Sequence, residues 1–302
     1  MWAEAASIVM CRASSFVRIV AMLLGACAVA VAGLRTTASA QSSDVPSPSP
    51  APSDPCAEDR LLATANRPTI GYSACAVKRD TVVFELGYQN SVQGTPRNGS
   101  IDSQVPQAFT RVGVAPRFEL DVIGPNYEAA RSYTPNSNIV RNGVDDSGFG
   151  FKYEFVPSGS WTVAVDGLYT APNGSAFLTA GGASYTGNLD VAYSLSSTTS
   201  IGTTVAVEST GRLTGGRRAG YGVTQPSLVV TTKIPNQYQF YAEYVLVSKI
   251  APGEGARDFT DFGVQKLLGT RTEVDVEYGH AFTGIGALKF DYIGAGTVVQ
   301  LW

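Results

Sequence analysis

The sequence is poor in the side chains that most enzymes use. Among 302 residues there is one histidine, His280, and only 16% of residues are charged. No His-Glu-x-x-His pair and no Gly-x-Ser-x-Gly elbow occurs, which leaves hydrolase and metalloprotease chemistry without its usual signatures. Lys and Arg number 22 against 25 Asp and Glu, a net charge of −3, so no basic patch points to nucleic acid. Beyond residue 40 there is no run of eighteen apolar residues, which excludes a transmembrane helix. A mean hydropathy of +0.04 is no argument against a membrane protein built from strands, because alternating faces average the signal away. The glycine pairs at 181–182 and 215–216 precede no helical pattern and read as loop breakers, not phosphate cradles. No cofactor or metal site is expected.

What is present begins with an export signal. Arg12 and Arg18 precede an apolar stretch from Ile19 to Leu34, and Ala38-Ser39-Ala40 has the small-x-small cleavage form. Residues 1–40 are thus read as a signal peptide, with Met1 or Met10 as the start. Leu24-Gly25-Ala26-Cys27 also resembles a lipobox, but the apolar run continues past Cys27, against that alternative. Residues 41–55 are Pro/Ser-rich and form an extended linker. Residues 56–80 are read as a short periplasmic cap. Its two thiols, Cys56 and Cys75, are expected to form a disulfide in an oxidising compartment, stabilising the loop by about 3 kcal/mol on the chain-entropy account.

From residue 81 to 302 the chain repeats one unit, about ten residues with apolar side chains at alternate places and then a turn. Twelve strands are predicted near 81–88, 108–114, 116–123, 148–156, 161–170, 184–195, 200–208, 221–233, 237–249, 258–267, 271–280 and 288–302. Longer and shorter connections alternate, the longest being 89–107 and 124–147. That asymmetry belongs to all-β transmembrane barrels of the outer-membrane type, with short periplasmic turns and longer outer loops. A soluble sandwich or propeller needs no such alternation. Trp302 ends the last strand on an aromatic, read as the membrane-insertion signal for the barrel-assembly machinery.

Alternation assigns the faces. Phe149, Phe151, Tyr153 and Phe155 share one side of a strand and Lys152 and Glu154 the other. Turned toward outer-membrane lipid, the greasy faces leave the charged residues inside. The lumen-lining candidates are Glu119, Asp121, Lys152, Glu154, Glu243, Asp261, Glu273, Asp275, Glu277 and Asp291, joined by Glu85, Arg111, Arg117, Asp166, Asp190, Glu208 and Lys289. Two accounts stand side by side. The charges fill a narrow barrel as a paired network, or they line a watery path that favours cations and neutral polar solutes. Glu273, Asp275 and Glu277, in file on one strand, are the sharpest candidate for selectivity.

Several stretches resemble the outer-membrane transporter family labelled by the meta-pathway of phenol degradation. They are Phe118-Glu119-Leu120, Asp146-Ser147-Gly148-Phe149-Gly150-Phe151-Lys152, Leu168-Tyr169-Thr170-Ala171-Pro172-Asn173-Gly174-Ser175, Asp261-Phe262-Gly263-Val264-Gln265 and Thr272-Glu273-Val274-Asp275. The resemblance spans most of residues 80–302 and implies an outer-membrane channel for small solutes, aromatic compounds among them. It carries over no binding residue.

The expected function is passive or facilitated uptake, without an enzyme activity. No nucleotide-binding motif and no plug-sized N-terminal domain is present, although residues 56–79 are placed to obstruct the periplasmic mouth. Two alternatives remain. One is a structural or adhesive barrel whose outer loops bind a partner; the other is an outer-membrane lipase or deacylase using His280.

Overall fold

Alternating apolar and polar side chains make a strand with one oily face, and most of the fifteen strands among the described residues are of this kind. The computed structural model describes Cys56 and residues 60–214, 217–249, 251–282 and 289–301. The signal peptide, the linker and Trp302 lie outside the described residues. The strands are β1 (Val82–Gly94), β2 (Gly99–Val105), β3 (Phe109–Ala115), β4 (Phe118–Ile123), β5 (Tyr127–Thr134), β6 (Ser137–Val144), β7 (Gly148–Ser158), β8 (Trp161–Thr170) and β9 (Ser184–Ser194). They continue with β10 (Thr199–Thr214), β11 (Arg217–Ile234), β12 (Tyr238–Val247), β13 (Arg257–Leu268), β14 (Thr272–Ala281) and β15 (Lys289–Gln300). Among the described residues a short helix, α1 (Arg60–Thr64), precedes them.

Neighbours in the wall are antiparallel throughout, and β15 returns to pair with β1 from Val83↔Gln300 to Gly94↔Lys289. The ladder therefore closes into a twelve-stranded barrel. Closure satisfies the strand edges, the condition for a sheet to sit in hydrocarbon. The turns that link strand pairs at the end carrying Val83 and Gln300 are tight. Asn236 and Gln237 both take positive φ between β11 and β12, and Gly269 does so between β13 and β14. Such left-handed residues reverse the chain without splaying the strands.

Twelve wall positions hold fifteen segments because three strands are creased. Both β2 and β3 pair with β1; β2 pairs with β5 as β3 pairs with β4, and β5 pairs with β6 as β4 pairs with β7. Each couple is one wall strand, interrupted at 106–108, 124–126 or 145–147. The interruptions lie side by side and are bridged by Gln107 N–H to Gly87 O (2.8 Å), Gly124 N–H to Ala108 O (2.9 Å) and Asp145 N–H to Asn126 O (2.8 Å). Pro106 and Pro125 fall in two of them, where a residue without an N–H costs the ladder least.

This corrects one expectation. Residues 89–107 and 124–147 are not loops but mainly strands that carry the wall beyond the crease, with tight tips at 95–98 and 135–136. Much of 209–220 likewise extends β10 and β11. The reason is solvent. Past the lipid both faces of a strand meet water, so residues such as Ser137-Asn138-Ile139-Val140-Arg141-Asn142 show no apolar alternation although they pair regularly.

The outer surface carries the oily side chains. Phe149, Phe151, Phe155, Trp161, Phe240, Phe262 and Val276 are exposed there, while Glu119, Lys152, Glu243 and Glu273 are buried on the inner face. In a soluble protein this arrangement is inverted; in a bilayer it is what the solvent demands.

Residues 60–78 occupy the interior of the barrel. Leu61, Leu62, Ala65 and Val77 pack on Val83, Leu267 and Val298 of the wall. Cys56 and Cys75 are joined as a disulfide with Cα atoms 5.5 Å apart. Although no plug-sized domain was expected, the barrel is narrow enough for this short segment to span it. Arg111 ties wall to plug: it contacts Glu85 at 3.2 Å and Glu119 at 2.8 Å, and donates to the carbonyls of Thr64 and Cys75. Arg111→Met leaves two buried carboxylates without their cation and is expected to cost about 3–5 kcal/mol, read as an earlier midpoint in urea unfolding of the detergent-solubilised protein.

Candidate functional site

The lumen is a contact zone between wall side chains and the backbone of the inner segment. Four glutamates from four strands accept its peptide N–H groups. Glu85 on β1 receives Asn66 N–H (3.1 Å) and Arg67 N–H (3.0 Å), and Glu243 on β12 receives Ile70 N–H (2.7 Å) and Gly71 N–H (2.8 Å). Glu154 on β7 receives Ala76 N–H (2.8 Å), and Glu119 on β4 receives Val77 N–H. Lys152 donates to Ser73 O, Thr204 on β10 exchanges bonds with both the N–H and the carbonyl of Tyr72, and Gln265 on β13 donates to Arg67 O (3.1 Å). A hydrogen bond to a charged acceptor contributes about 1.5–3 kcal/mol, so the segment is held through its main chain from most sides. Gly71 makes this close approach: a Cβ there would meet Ser227 and Glu243.

The expected lumen residues separate into groups. Glu119, Lys152, Glu154 and Glu243 grip the inner segment directly. Lys152 also lies 3.7 Å from Asp166 and 3.4 Å from Asp190. Asp121, Asp261, Glu273, Asp275 and Glu277 are buried on the inner face. Among these, Asp261 accepts from Tyr292 Oη at 2.7 Å, while Asp275 and Glu277 face Arg67. Glu208 borders a second cavity of 240 Å³ beside Ile70 and Tyr72.

Two expectations are corrected. Asp291 stands on the outer wall, where it accepts from Tyr278 Oη (2.8 Å) and lies 2.6 Å from His280 Nδ1. Its neighbour Tyr292 is the inward residue, so alternation places Asp291 outward. Arg117 is exposed in the tight turn between β3 and β4, at φ 63°. The side chain of Lys289 lies outside the described residues. His280, the candidate for hydrolysis, is hydrogen-bonded to Asp291 and to no serine among the described residues. Among those residues no cluster of His, Cys, Asp and Glu could hold a metal ion.

Arg67, which the pattern of strands did not single out, extends a guanidinium from the inner segment to the wall. Its Nη1 donates to Gln107 Oε1 at 2.7 Å; its Nη2 lies 3.2 Å from Asp275 Oδ1 and 3.6 Å from Glu277 Oε1. It borders a cavity of 380 Å³, which is also lined by Tyr72, Phe109, Asn126, Asp145, Asp146 and Tyr292 and reaches the crease residues. At the crease, burial pushes the pKa of Asp145 up, the Asn126 amide draws it back and Asp146 adds to the rise. Asp146 itself pins residues 171–183. Its carboxylate accepts Gly174 N–H (2.7 Å), Ala180 N–H (2.9 Å) and Thr179 Oγ1 (3.0 Å). Asn173 bonds Ser147 in both directions at 2.7 and 2.9 Å. Two stretches that looked like separate motifs in the sequence, around Asp146 and around Asn173, are therefore one structural unit at the rim.

Neither a family model nor a curated protein matches the sequence. Solved structures do match the fold. The COG4313 outer membrane channel from Pseudomonas putida F1 aligns with a TM-score of 0.55 at 12% identity, over 76% of this chain and 98% of that one. The translocator domain of the autotransporter NalP from Neisseria meningitidis aligns with a TM-score of 0.50 at 7% identity, over 72% and 87%. At such identities the likeness establishes architecture. The chain is a twelve-stranded antiparallel barrel of the outer-membrane type, and the bacterial outer membrane is its place.

The grip of the glutamates is measurable. Glu243→Leu removes the acceptor of two peptide groups and is expected to speed hydrogen exchange at Ile70 and Gly71 about tenfold or more, while amides of the β12–β13 ladder keep their wild-type protection.

Proposed function

We propose that the protein is an outer-membrane channel for small solutes, closed in the conformation described by residues 60–78 of its own chain. The observation that carries this reading is how the lumen is filled. The inner segment is attached largely by hydrogen bonds that its backbone N–H groups donate to wall carboxylates, and both partners of such a contact are groups that water solvates when the segment moves. A barrel with a purely structural role would be sealed more durably by a continuous apolar core, whereas here the apolar contacts of the segment are two separate patches, one around Leu61 and Val77 and one where Ile70 meets Val245, Phe259 and Tyr292. Glu243, Asp261, Glu273, Asp275 and Glu277 would then line the opened path and favour cations and neutral polar solutes. The fold shared with the COG4313 outer membrane channel supports the same reading. The sequence resemblance to the meta-pathway phenol transporter family adds aromatic compounds as a solute class to test. Mechanistically, transport would be diffusion down a gradient once the segment is displaced.

Planar-bilayer recording tests this. Deleting residues 60–78 from the full chain is expected to raise single-channel conductance severalfold over wild type. Reducing the Cys56–Cys75 bond should raise it in the same direction, because the bond closes the segment on itself. A folded deletion variant that carries no current would refute the channel.

A further inference from the structure

The Arg67 guanidinium lies in a receptor formed by the barrel wall. Gly87 and Gly296 face each other across β1 and β15, and Asp275 is paired with Gly296 from β14. The two glycines make a bare floor, and a Cβ on either would overlap the guanidinium. Asp275 and Glu277 edge that floor, and Gln107 offers its amide oxygen from the crease. A flat recess bordered by oxygen acceptors suits a planar, delocalised cation better than a compact ammonium.

The recess also holds more carboxyl oxygens than its resident pairs with. Two carboxylates face one guanidinium. The Asp275 side chain is 0% exposed, yet its Oδ2 has no hydrogen-bond partner, and neither has the Nε of Arg67. Glu273, at the next inward position of the same strand, is fully buried and makes no ion pair among the described residues. The resident thus satisfies its receptor only in part. Finally, the 380 Å³ cavity borders Arg67 and Glu277 directly and extends to Asp145 at the crease, a volume suited to a small organic cation.

We propose that this recess is the solute site of the channel, that its ligands are small guanidinium compounds, and that Arg67 occupies it as an internal competitor. The word solute rests on the channel reading; the binding does not. A guanidinium entering by the cavity takes the Asp275 and Glu277 contacts, Arg67 withdraws, and the middle of the inner segment loses its tie to β14. No covalent step is involved.

The test uses full-length protein folded in detergent, with folding checked by faster migration of unheated samples on gels. Methylguanidinium is titrated calorimetrically into wild type, Arg67→Ala and Arg67→Ala/Asp275→Asn/Glu277→Gln, with methylammonium as control. Saturable binding to Arg67→Ala, at least tenfold tighter than to wild type and lost in the triple variant, is expected. Should the triple variant not fold, Arg67→Ala/Gly296→Ala, which raises the floor, is expected to lose binding in its place. Equal affinity in wild type and Arg67→Ala, or methylammonium bound as tightly as methylguanidinium, overturns the assignment. Bilayer currents separate the two readings: binding with no current in any folded variant supports the recess and refutes the channel, whereas current without binding refutes the recess alone.

Discussion

A carboxylate taken out of water needs donors, and in this barrel many of the donors are peptide N–H groups from elsewhere in the same chain. Glu85, Glu119, Glu154 and Glu243 each take one or two amides of residues 66–77. An acidic lumen this narrow has few cations of its own. Arg111 and Lys152 serve the half of the wall formed by β1 to β9, and Arg67, carried in by the inner segment, serves β14. Without that segment the same side chains would need water, which is to say an open pore. For the proposed channel, the closed interior and the conducting path would be two states of one set of charges.

The bilayer sets the other boundary. Hydrocarbon offers no hydrogen bonds, so the ladder must close on itself from β1 to β15, and it does so without a missing pair between Val83 and Gly94. Outside the lipid this demand relaxes. There the wall is creased at three adjacent places, two of them containing proline, and the strands beyond carry polar residues on both faces. The crease brings Gln107, Asn126 and Asp145 to the cavity above Arg67, so a feature permitted by water at the rim shapes the entrance to the lumen.

Legibility in the sequence followed the same physics. Strands within the lipid were readable because one face must be apolar: β8 runs over Trp161–Thr170, where the pattern put it, and the remaining wall strands fall close to their expected places. Strands β2, β5 and β6 were unreadable because water on both sides erases the period. Asp291 is placed wrongly by apolar–polar alternation alone because on β15 an aromatic residue, Tyr292, takes the inward place; its partner His280, eleven residues back on β14, is found only by the register. The inner segment was visible as a disulfide-bearing stretch, but its path was not, since its contacts are mostly through backbone atoms that every sequence possesses.

By itself, then, the order of amino acids determined the class of structure. Alternation at period two, tight turns and the absence of a long apolar helix leave a closed barrel with oil outside and charge within, because each is a local property of consecutive residues. Only the tertiary structure decided what the interior charges do. Arg67 meets Asp275 across 208 positions, and Ile70 meets Glu243 across 173. Partners so distant are chosen by barrel closure and by the width it leaves, and no local pattern encodes that width.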